Sequence, residues 1–299
     1  MHGYEGIFSP KSRAKTMSDW ERTYVDGCAI FYRTDTFRLD EKHALIEFNQ
    51  TALARPALRK HKDVYNRVLV KDNIAVVARL EHLRTRRTLL LANCHIHWDP
   101  QYKDVKLLQA VMLAEEIERL AEKLPPSGAL IVCGDFNSLP DSGVYEFLSN
   151  GGIQGKHPDF LSRCYEPYTS DGARHKLNLR SAYSLLPEET EISNGCTPFT
   201  NFTPNFCGTI DYIWYRPTTL SITGLLGSLS TEYTKHLVGL PTQHYPSDHV
   251  SLLAEFKFEP AQPPIQTTKE SSTTTSTSSL HQVPSPGVRM YSRNKSVVS

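Results

Sequence analysis

Several features that would point to other protein classes are missing from the sequence. No apolar run approaches the roughly 20 residues that a membrane helix needs, and the first residues, MHGYEGIFSPKSRAKTM, lack the apolar stretch of a signal peptide. The net charge is only +1, so no overall field marks a nucleic-acid-binding protein, and any basic surface must be local. We therefore expect a soluble, intracellular protein with no membrane association.

Regularly spaced cysteines and glycine-rich phosphate loops are missing as well. The six cysteines include no CxxC pair, which argues against a zinc site, and neither common Gly-rich phosphate-binding pattern occurs. Cys28, Cys94 and Cys133 stand in apolar runs. This placement is typical of buried free thiols in a reducing compartment.

What the sequence does contain is a mixture of strand-like and helix-like segments followed by a polar tail. The strand-like segments are GCAIFYR, NIAVVARLE, TLLLANCHIHW, ALIVCGDFN, TIDYIWYR and SLLAEFKFE. The clearest helix is VKLLQAVMLAEEIERLAEKL, with Glu and Lys on its polar face and an end before Pro125. DSGVYEFLSNGG predicts a short helix that begins at Asp141 or Ser142 and ends at Gly151 or Gly152.

These segments divide the chain into two parts. Residues 1–259 favour a sheet-rich α+β or α/β sandwich over a doubly wound fold, because long helices between the strands are few. Residues 260–299 are rich in Ser, Thr and Pro, and they have too few apolar side chains to offset the entropy of ordering. We expect this tail to be disordered.

Polar side chains stand at the ends of several predicted strands. In GALIVCGDFNSLPDSG, Asp135 and Asn137 leave the strand on the same side, where they suit a water, a cation or a phosphate. The alternative is a local turn in which both side chains cap backbone N–H groups. Other strands deliver polar residues in a similar way: His95, Asp211, and the pair Asp248 and His249. An Asp buried in the apolar strand TIDYIWYR needs a partner, and a histidine is the natural one.

Six blocks of the sequence, in this order, resemble the CCR4-type deadenylase catalytic subunits of the endonuclease/exonuclease/phosphatase (DNase I-like) superfamily. They are SPKSRAK, DGCAIFYR, ANCHIHWDP, GDFNSLPDSGVYEFLSNGGI, FTNFTPNFCGTIDYIWY and YPSDHVSLL, and the likeness extends from about Gly3 to Glu259. The resemblance implies an α/β fold, a DNase I-like two-sheet sandwich flanked by helices. It also implies Mg²⁺-dependent 3′→5′ removal of poly(A) tails from mRNA in the cytoplasm, with the nucleus as a second location.

The resemblance further implies which residues carry the chemistry. Phosphodiester hydrolysis needs a positioned water and neutralised charge on the phosphoryl oxygens. Asp135 would orient or deprotonate the water, and Asn137 and His95 would contact the phosphate. His249, supported by Asp211, would donate to a phosphate oxygen. Asp248 is the remaining carboxylate and the candidate Mg²⁺ ligand.

The same resemblance assigns residues to RNA recognition. A single-stranded 3′ end is read by stacking and by hydrogen bonds to base edges. Phe206 and Pro100 would sandwich the terminal adenine, with Asn201 on its edge, although Phe206 on its own also fits an ordinary core aromatic. Arg13, in the basic stretch KSRAK, would meet the RNA backbone, and a solvated turn is the alternative.

The chain also departs from the family pattern. Family members begin further upstream, where a first strand supplies an Asn and the next segment supplies the Glu that is the main Mg²⁺ ligand. In the closest relatives, leucine-rich repeats precede the nuclease and dock it to other subunits of the deadenylase complex. The sequence does not contain these repeats. The resemblance thus implies an N-terminally truncated fold with weak Mg²⁺ binding and low activity. Two other interpretations stay open: a non-catalytic RNA-binding or scaffold remnant, and a nucleotide or phosphoinositide phosphatase of the same superfamily.

Overall fold

The computed structural model describes residues 3–40, 43–185 and 199–260, so the predicted tail lies outside the described residues from 261 onward. The helices are α1 Phe48–Leu53, α2 Lys103–Ala121, α3 Gly143–Asn150, α4 Tyr168–Asp171 and α5 Thr231–Thr234. The strands are β1 Tyr4–Pro10, β2 Gly27–Arg33, β3 Phe37–Leu39, β4 Ala44–Glu47, β5 Ile74–His82, β6 Arg87–His95, β7 Ala129–Asp135, β8 Gly152–Ile153, β9 Ala173–Arg174, β10 Arg180–Ser181, β11 Asn201–Thr203, β12 Phe206–Gly208, β13 Asp211–Tyr215, β14 Leu220–Leu225 and β15 Ala254–Phe258. In this described part, no helix has the length and apolar character needed to cross a membrane.

A seven-stranded mixed sheet forms the centre of the fold. Its strand order is β10-β13-β7-β6-β5-β3, and β4 pairs with β5 as well. The strands β6 and β7 are parallel and are joined by α2, as a parallel pair requires a long crossover. The other pairings of the sheet are antiparallel. β5 is buried along nearly its whole length because both of its faces are covered.

The helix α2 packs against one face of the sheet and is more deeply buried than its sequence predicts. From Asp104 to Ala114 every residue is buried, including Lys106 and Gln109. The prediction that its Lys residues lie on a polar outer face is therefore wrong for Lys106, because other elements cover both sides of the N-terminal half.

In α3 the structure resolves the two alternatives at each end. Ser142 is the N-cap and Gly151, with φ of 73°, ends the helix.

Two apolar cores lie on the two faces of the central sheet. One lies between the sheet and the helices, with Phe48, Met112 and Phe147 among its members. The other lies between the sheet and two antiparallel strand pairs, β1–β2 and β14–β15, which form the second β layer of the expected sandwich. The last strand begins at Ala254, three residues later than the sequence pattern predicts. Cys28 and Cys94 are buried free thiols, as predicted, whereas Cys133, predicted to be buried as well, is a free thiol that is only partly buried.

Candidate active site

Strand register places three of the predicted site residues in one row across the central sheet. His95 of β6 lies opposite Asp135 of β7, and Asp135 lies opposite Asp211 of β13. Side chains in one row of neighbouring strands lie on the same face. Gly134 allows this close approach: its φ is 135°, and a Cβ there would lie 2.0 Å from the Cys94 carbonyl oxygen.

Asp135 is a largely buried carboxylate held on both of its oxygens by one residue. The Asn137 N–H donates to Oδ1 at 2.7 Å, and the Asn137 side-chain amide donates to Oδ2 at 3.2 Å. Burial, together with the nearby Asp211 carboxylate, raises the pKa of Asp135 to about 7. Asn137 also donates to the Ile96 carbonyl oxygen, so its amide donors are used inside the protein. Its phosphate contact stays a prediction and would require one of these bonds to open.

His249 and Asp211 form a hydrogen-bonded pair beside Asp135. The distance from His249 Nδ1 to Asp211 Oδ2 is 2.8 Å. This hydrogen bond raises the pKa of His249 to about 8, so the imidazole is mostly protonated at neutral pH. The buried Thr200 hydroxyl donates to the same Asp211 oxygen at 2.7 Å and thereby fixes the carboxylate. The backbone of Val250 donates to Thr200 O, which joins the 248–250 loop to this site.

His95 lies on the other side of Asp135, between two carboxylates. Its Nε2 is 3.7 Å from Asp135 Oδ2, and its Nδ1 is 3.8 Å from Asp26 Oδ2. Burial lowers the pKa of His95, and the nearby Lys11 ammonium lowers it further. His95 is therefore a neutral imidazole, in contrast to the cationic His249. A contact between His95 and a phosphate stays a prediction.

A cavity of about 570 Å³ opens beside these residues and joins them to an aromatic wall. Phe206, Pro100 and Asn201, the three residues predicted to read adenine, all line it. Trp98 lines the same wall. The buried Asn201 side chain donates to Asp248 Oδ2 at 3.3 Å, and this hydrogen bond orients its amide. The cavity is also lined by Asn137, Asp248 and His249, whereas His95, Asp135 and Asp211 are not among its lining residues.

The predicted RNA-backbone contact, Arg13, is separate from the cavity lining. Its guanidinium forms ion pairs with Asp26 and Asp72. The neighbouring Lys11 also pairs with Asp26. Both basic side chains are therefore paired with acidic residues on the same surface. Through Asp26, Arg13 lies near His95, and it does not line the cavity that contains Trp98 and Phe206.

One group of described residues has ligand atoms close enough to share a metal ion. Single atoms of Asp135, Asp211 and His249 lie within 4.8 Å of one another. Asp211, however, is already bound to His249 and Thr200. Asp248, the predicted Mg²⁺ ligand, is not a member of this group and lines the neighbouring cavity instead. Its carboxylate and that of Asp135 are of the kind that Mg²⁺ takes, one or two together with water and substrate oxygens.

Three contributors to the site carry no strong signal in the sequence. Thr200 is an unremarkable hydroxyl eleven positions before Asp211, and Asp26 belongs to a loop far from β6 in sequence. Lys106 stands in a helical pattern that suggests a solvent-facing lysine, yet it is buried and lines the cavity. Only long-range pairing brings these residues to Asp135, and a single sequence does not show such pairing.

Comparison with known proteins identifies close relatives. The model of the endonuclease/exonuclease/phosphatase family matches residues 13–249. The CCR4-Not complex 3′-5′-exoribonuclease subunit Ccr4 of Mycosarcoma maydis is 46% identical over 274 residues, which cover 85% of this chain and 40% of that protein. The subunit of the same name in Schizosaccharomyces pombe is 43% identical over 291 residues, covering 90% and 41%. The predicted resemblance to CCR4-type deadenylases is confirmed, and the chain spans about two fifths of the length of these relatives.

A solved structure supports the same assignment. The crystal structure of ANGEL2, described as a 2′,3′-cyclic phosphatase in complex with adenosine-2′,3′-vanadate, is 25% identical with a TM-score of 0.66. The alignment covers 85% of this chain and 74% of that one. The predicted α/β fold, with helices flanking the sheets, is confirmed. Since the family model matches well over half of its residues, the chain belongs to the endonuclease/exonuclease/phosphatase family.

Proposed function

We propose that this chain is the nuclease part of a Mg²⁺-dependent 3′→5′ exoribonuclease that removes adenylates from the 3′ end of RNA. One observation carries the proposal: a single cavity is lined both by His249, the hydrogen-bond partner of Asp211, and by the aromatic side chains of Trp98 and Phe206. A nucleotide whose base stacks between Phe206 and Pro100 would carry its phosphate towards His249. The printed names of the Ccr4 relatives support RNA as the substrate.

Two kinds of group that phosphodiester hydrolysis needs lie close together: one that accepts a proton from the attacking water, and one that donates a hydrogen bond to a phosphoryl oxygen. Asp135, with a pKa of about 7, is available near neutral pH as an acceptor for a proton of the attacking water. The protonated His249 would donate from Nε2 to a phosphoryl oxygen, while Asp211 holds Nδ1 and so orients the ring. The neutral His95 adds a hydrogen-bonding group without adding repulsion between cations.

Carboxylate oxygens are the ligands that Mg²⁺ prefers, but only two of the described carboxylates, Asp248 and Asp135, are candidates for binding it. Asp248 and Asp135 would hold it, and when bound it would supply positive charge against the phosphoryl oxygens. With Asp211 committed to His249, we infer weak affinity for the ion in this chain. Asp248 also accepts from Asn201, so the metal-binding and base-reading ends of the cavity share a residue pair.

Poly(A) RNA is the partner that this arrangement supports best. Slots between an aromatic ring and a proline accept any flat base, and the buried Asn201 amide would supply the hydrogen bond that favours adenine. Other subunits of a deadenylase complex are proposed as protein partners on the strength of the relatives' names. We propose the cytoplasm, and the nucleus as well, as the sites of action.

The direct test is an assay of residues 1–299 on a 5′-labelled RNA with an A tail, across a Mg²⁺ titration. We expect loss of single 3′ adenylates, at a rate that rises throughout the titration because the affinity for Mg²⁺ is weak. Adenosine 2′,3′-cyclic phosphate is assayed beside it, since the ANGEL2 structure contains the related vanadate. Turnover of the cyclic phosphate alone would favour a phosphatase. RNA binding without turnover at saturating Mg²⁺ would favour a non-catalytic RNA-binding protein.

A further inference from the structure

Lys106 is a buried cation next to the candidate active site. It lies in the first turn of α2 and is only 6% exposed. A buried ammonium is costly unless hydrogen bonds or an ion pair compensate for its lost hydration. In the residues that the structure describes, no carboxylate oxygen lies within 4.0 Å of Lys106 Nζ. Instead Nζ donates to the Asn137 carbonyl oxygen at 2.7 Å.

The residue that accepts this hydrogen bond is itself in a restricted conformation. Asn137 has φ of 46°, in the left-handed region that non-glycine residues adopt at some cost. Its backbone N–H and its side-chain amide together hold both oxygens of Asp135. A chain of hydrogen bonds therefore leads from Lys106 through Asn137 to the carboxylate proposed to activate water. Changes in the Asn137 backbone would move both of its donors relative to Asp135.

A contribution to stability alone does not explain the ammonium. Burial lowers the pKa of Lys106 to about 8 despite the nearby Asp135, Asp99 and Asp159 carboxylates, so the charged form is disfavoured where it lies. Replacing the buried charge by an apolar side chain of similar size would remove this cost, at the loss of one hydrogen bond to the Asn137 carbonyl oxygen. A methionine would fill the same space without this penalty. Among the described residues, the hydrogen bond that the Lys106 ammonium forms is the one to the Asn137 carbonyl oxygen.

We propose that Lys106 is a positioning residue, which fixes the Asn137 turn through its carbonyl oxygen and thereby holds the Asp135 carboxylate in place for hydrolysis. The catalytic consequence rests on the proposed function. The positioning of Asp135 rests only on the geometry. The two parts are therefore tested by separate measurements.

Amide hydrogen exchange tests the positioning. The Asn137 N–H donates to Asp135 Oδ1, whereas the preceding Phe136 N–H donates to Ile210 O at 2.9 Å in the sheet. In Lys106→Met we expect exchange at Asn137 to become about tenfold faster, with Phe136 unchanged. Lys106→Arg, which keeps a donor and a charge, should partly restore protection. Unchanged exchange at Asn137 in Lys106→Met would overturn the inference, whether or not the chain cleaves RNA.

Kinetics and melting temperature test the consequence. At saturating A-tailed RNA, Lys106→Met should lower kcat by up to about 100-fold with little change in KM, because a misplaced catalytic group affects the reaction more than binding. Its melting temperature should stay the same or rise. The matched control is Lys123→Met, the same substitution on an exposed lysine beyond the other end of α2.

Two outcomes would refute a role in catalysis. One is a normal kcat in Lys106→Met, and the other is a fall in both kcat and melting temperature that Lys106→Arg does not rescue. Altered exchange at Asn137 in a chain whose wild type cleaves no RNA would leave the positioning intact and refute the proposed function instead.

Discussion

In the proposed hydrolytic centre, the Asp135 and Asp211 side chains are 18% and 19% exposed. On the proposed adenine-binding wall of the cavity, Trp98 and Phe206 are 68% and 38% exposed. The two carboxylates stand at ends of neighbouring strands in the central sheet, whereas Trp98 lies in a loop and Phe206 begins the short strand β12. The difference follows from the two tasks. Charged groups stabilise a reaction best when their positions are fixed in advance, while an aromatic surface for stacking must stay open until a base covers it.

Mutations at the fixed end should have the largest effect. We expect Asp135→Asn and His249→Ala each to lower the rate of A-tail cleavage by about 10²–10⁴-fold, the usual contribution of general acid–base groups. Cleavage of 5′-labelled RNA measures the rate, and circular dichroism checks that both variants fold. Asp171→Asn, on an exposed residue of α4, is the control. A near-normal rate in either variant would contradict the assignment of that residue.

Mutation at the open end should have a smaller and more selective effect. Phe206→Ala should lower the ratio of cleavage rates on A-tailed and U-tailed RNA more than it lowers overall RNA binding. The stack is worth about 1–3 kcal/mol per base, and selection also needs the slot that Phe206 helps to form beside Asn201. The two tails are compared in parallel, with Tyr65→Ala as an exposed aromatic control. An unchanged ratio would mean that Phe206 only packs against its neighbours.

The buried His97, next to Trp98 in the sequence, should make the stability of the protein depend on pH. His97 is 7% exposed, and burial lowers its pKa to about 4 from the ordinary value of 6.5. Between these values the unfolded chain binds more protons than the folded one, so His97 makes the free energy of unfolding fall as the pH drops from 6.5 to 4. His97→Leu should remove this contribution, a slope of about 1 kcal/mol per pH unit or less.

Urea unfolding at a series of pH values measures the effect of His97. The exposed His244, changed to Gln, is the control and should leave the slope unaltered. Identical slopes for wild type and His97→Leu between pH 4 and 6.5 would show that folding does not lower the pKa of His97.

The smallest effect is expected outside the cavity. Arg13→Met should alter RNA affinity only slightly, because the guanidinium is already paired with Asp26 and Asp72 and exposed ion pairs contribute little. Filter binding at several salt concentrations measures it. A salt slope reduced by about one phosphate contact would instead support the sequence-based prediction that Arg13 meets the RNA backbone.

The sequence predicts the long elements well and the short ones poorly. Strands β5, β6 and β7 and helix α2 have runs of apolar residues long enough to identify them. Strands such as β3 and β8 have two or three residues and exist only because a partner strand pairs with them. Predicted strand ends are also in error where a loop continues an apolar pattern, as before Ala254.

The same distinction applies to the site. Asp135, Asp211 and His249 could be proposed from sequence because polar residues at the ends of apolar strands are unusual, and the family resemblance supplied their roles. The support of Asp211 by Thr200 and of Asn137 by Lys106 depends on contacts between distant segments. Burial of Lys106 contradicts the helical pattern, since that pattern reflects one face of α2 and does not record what covers the other.

The row formed by His95, Asp135 and Asp211 ties activity to the correct alignment of three strands. Side chains alternate along a strand, so a slip of β7 by one residue against its neighbours would turn Asp135 to the opposite face and bring Gly134 or Phe136 into its place. Such a chain could keep its sheet, but Leu130 and Val132 would leave the core between the sheet and the helices, and the proposed nuclease centre would be lost. The proposed hydrolysis would therefore report the correct alignment of β7 more sensitively than secondary structure content, which changes little when a strand slips by one residue.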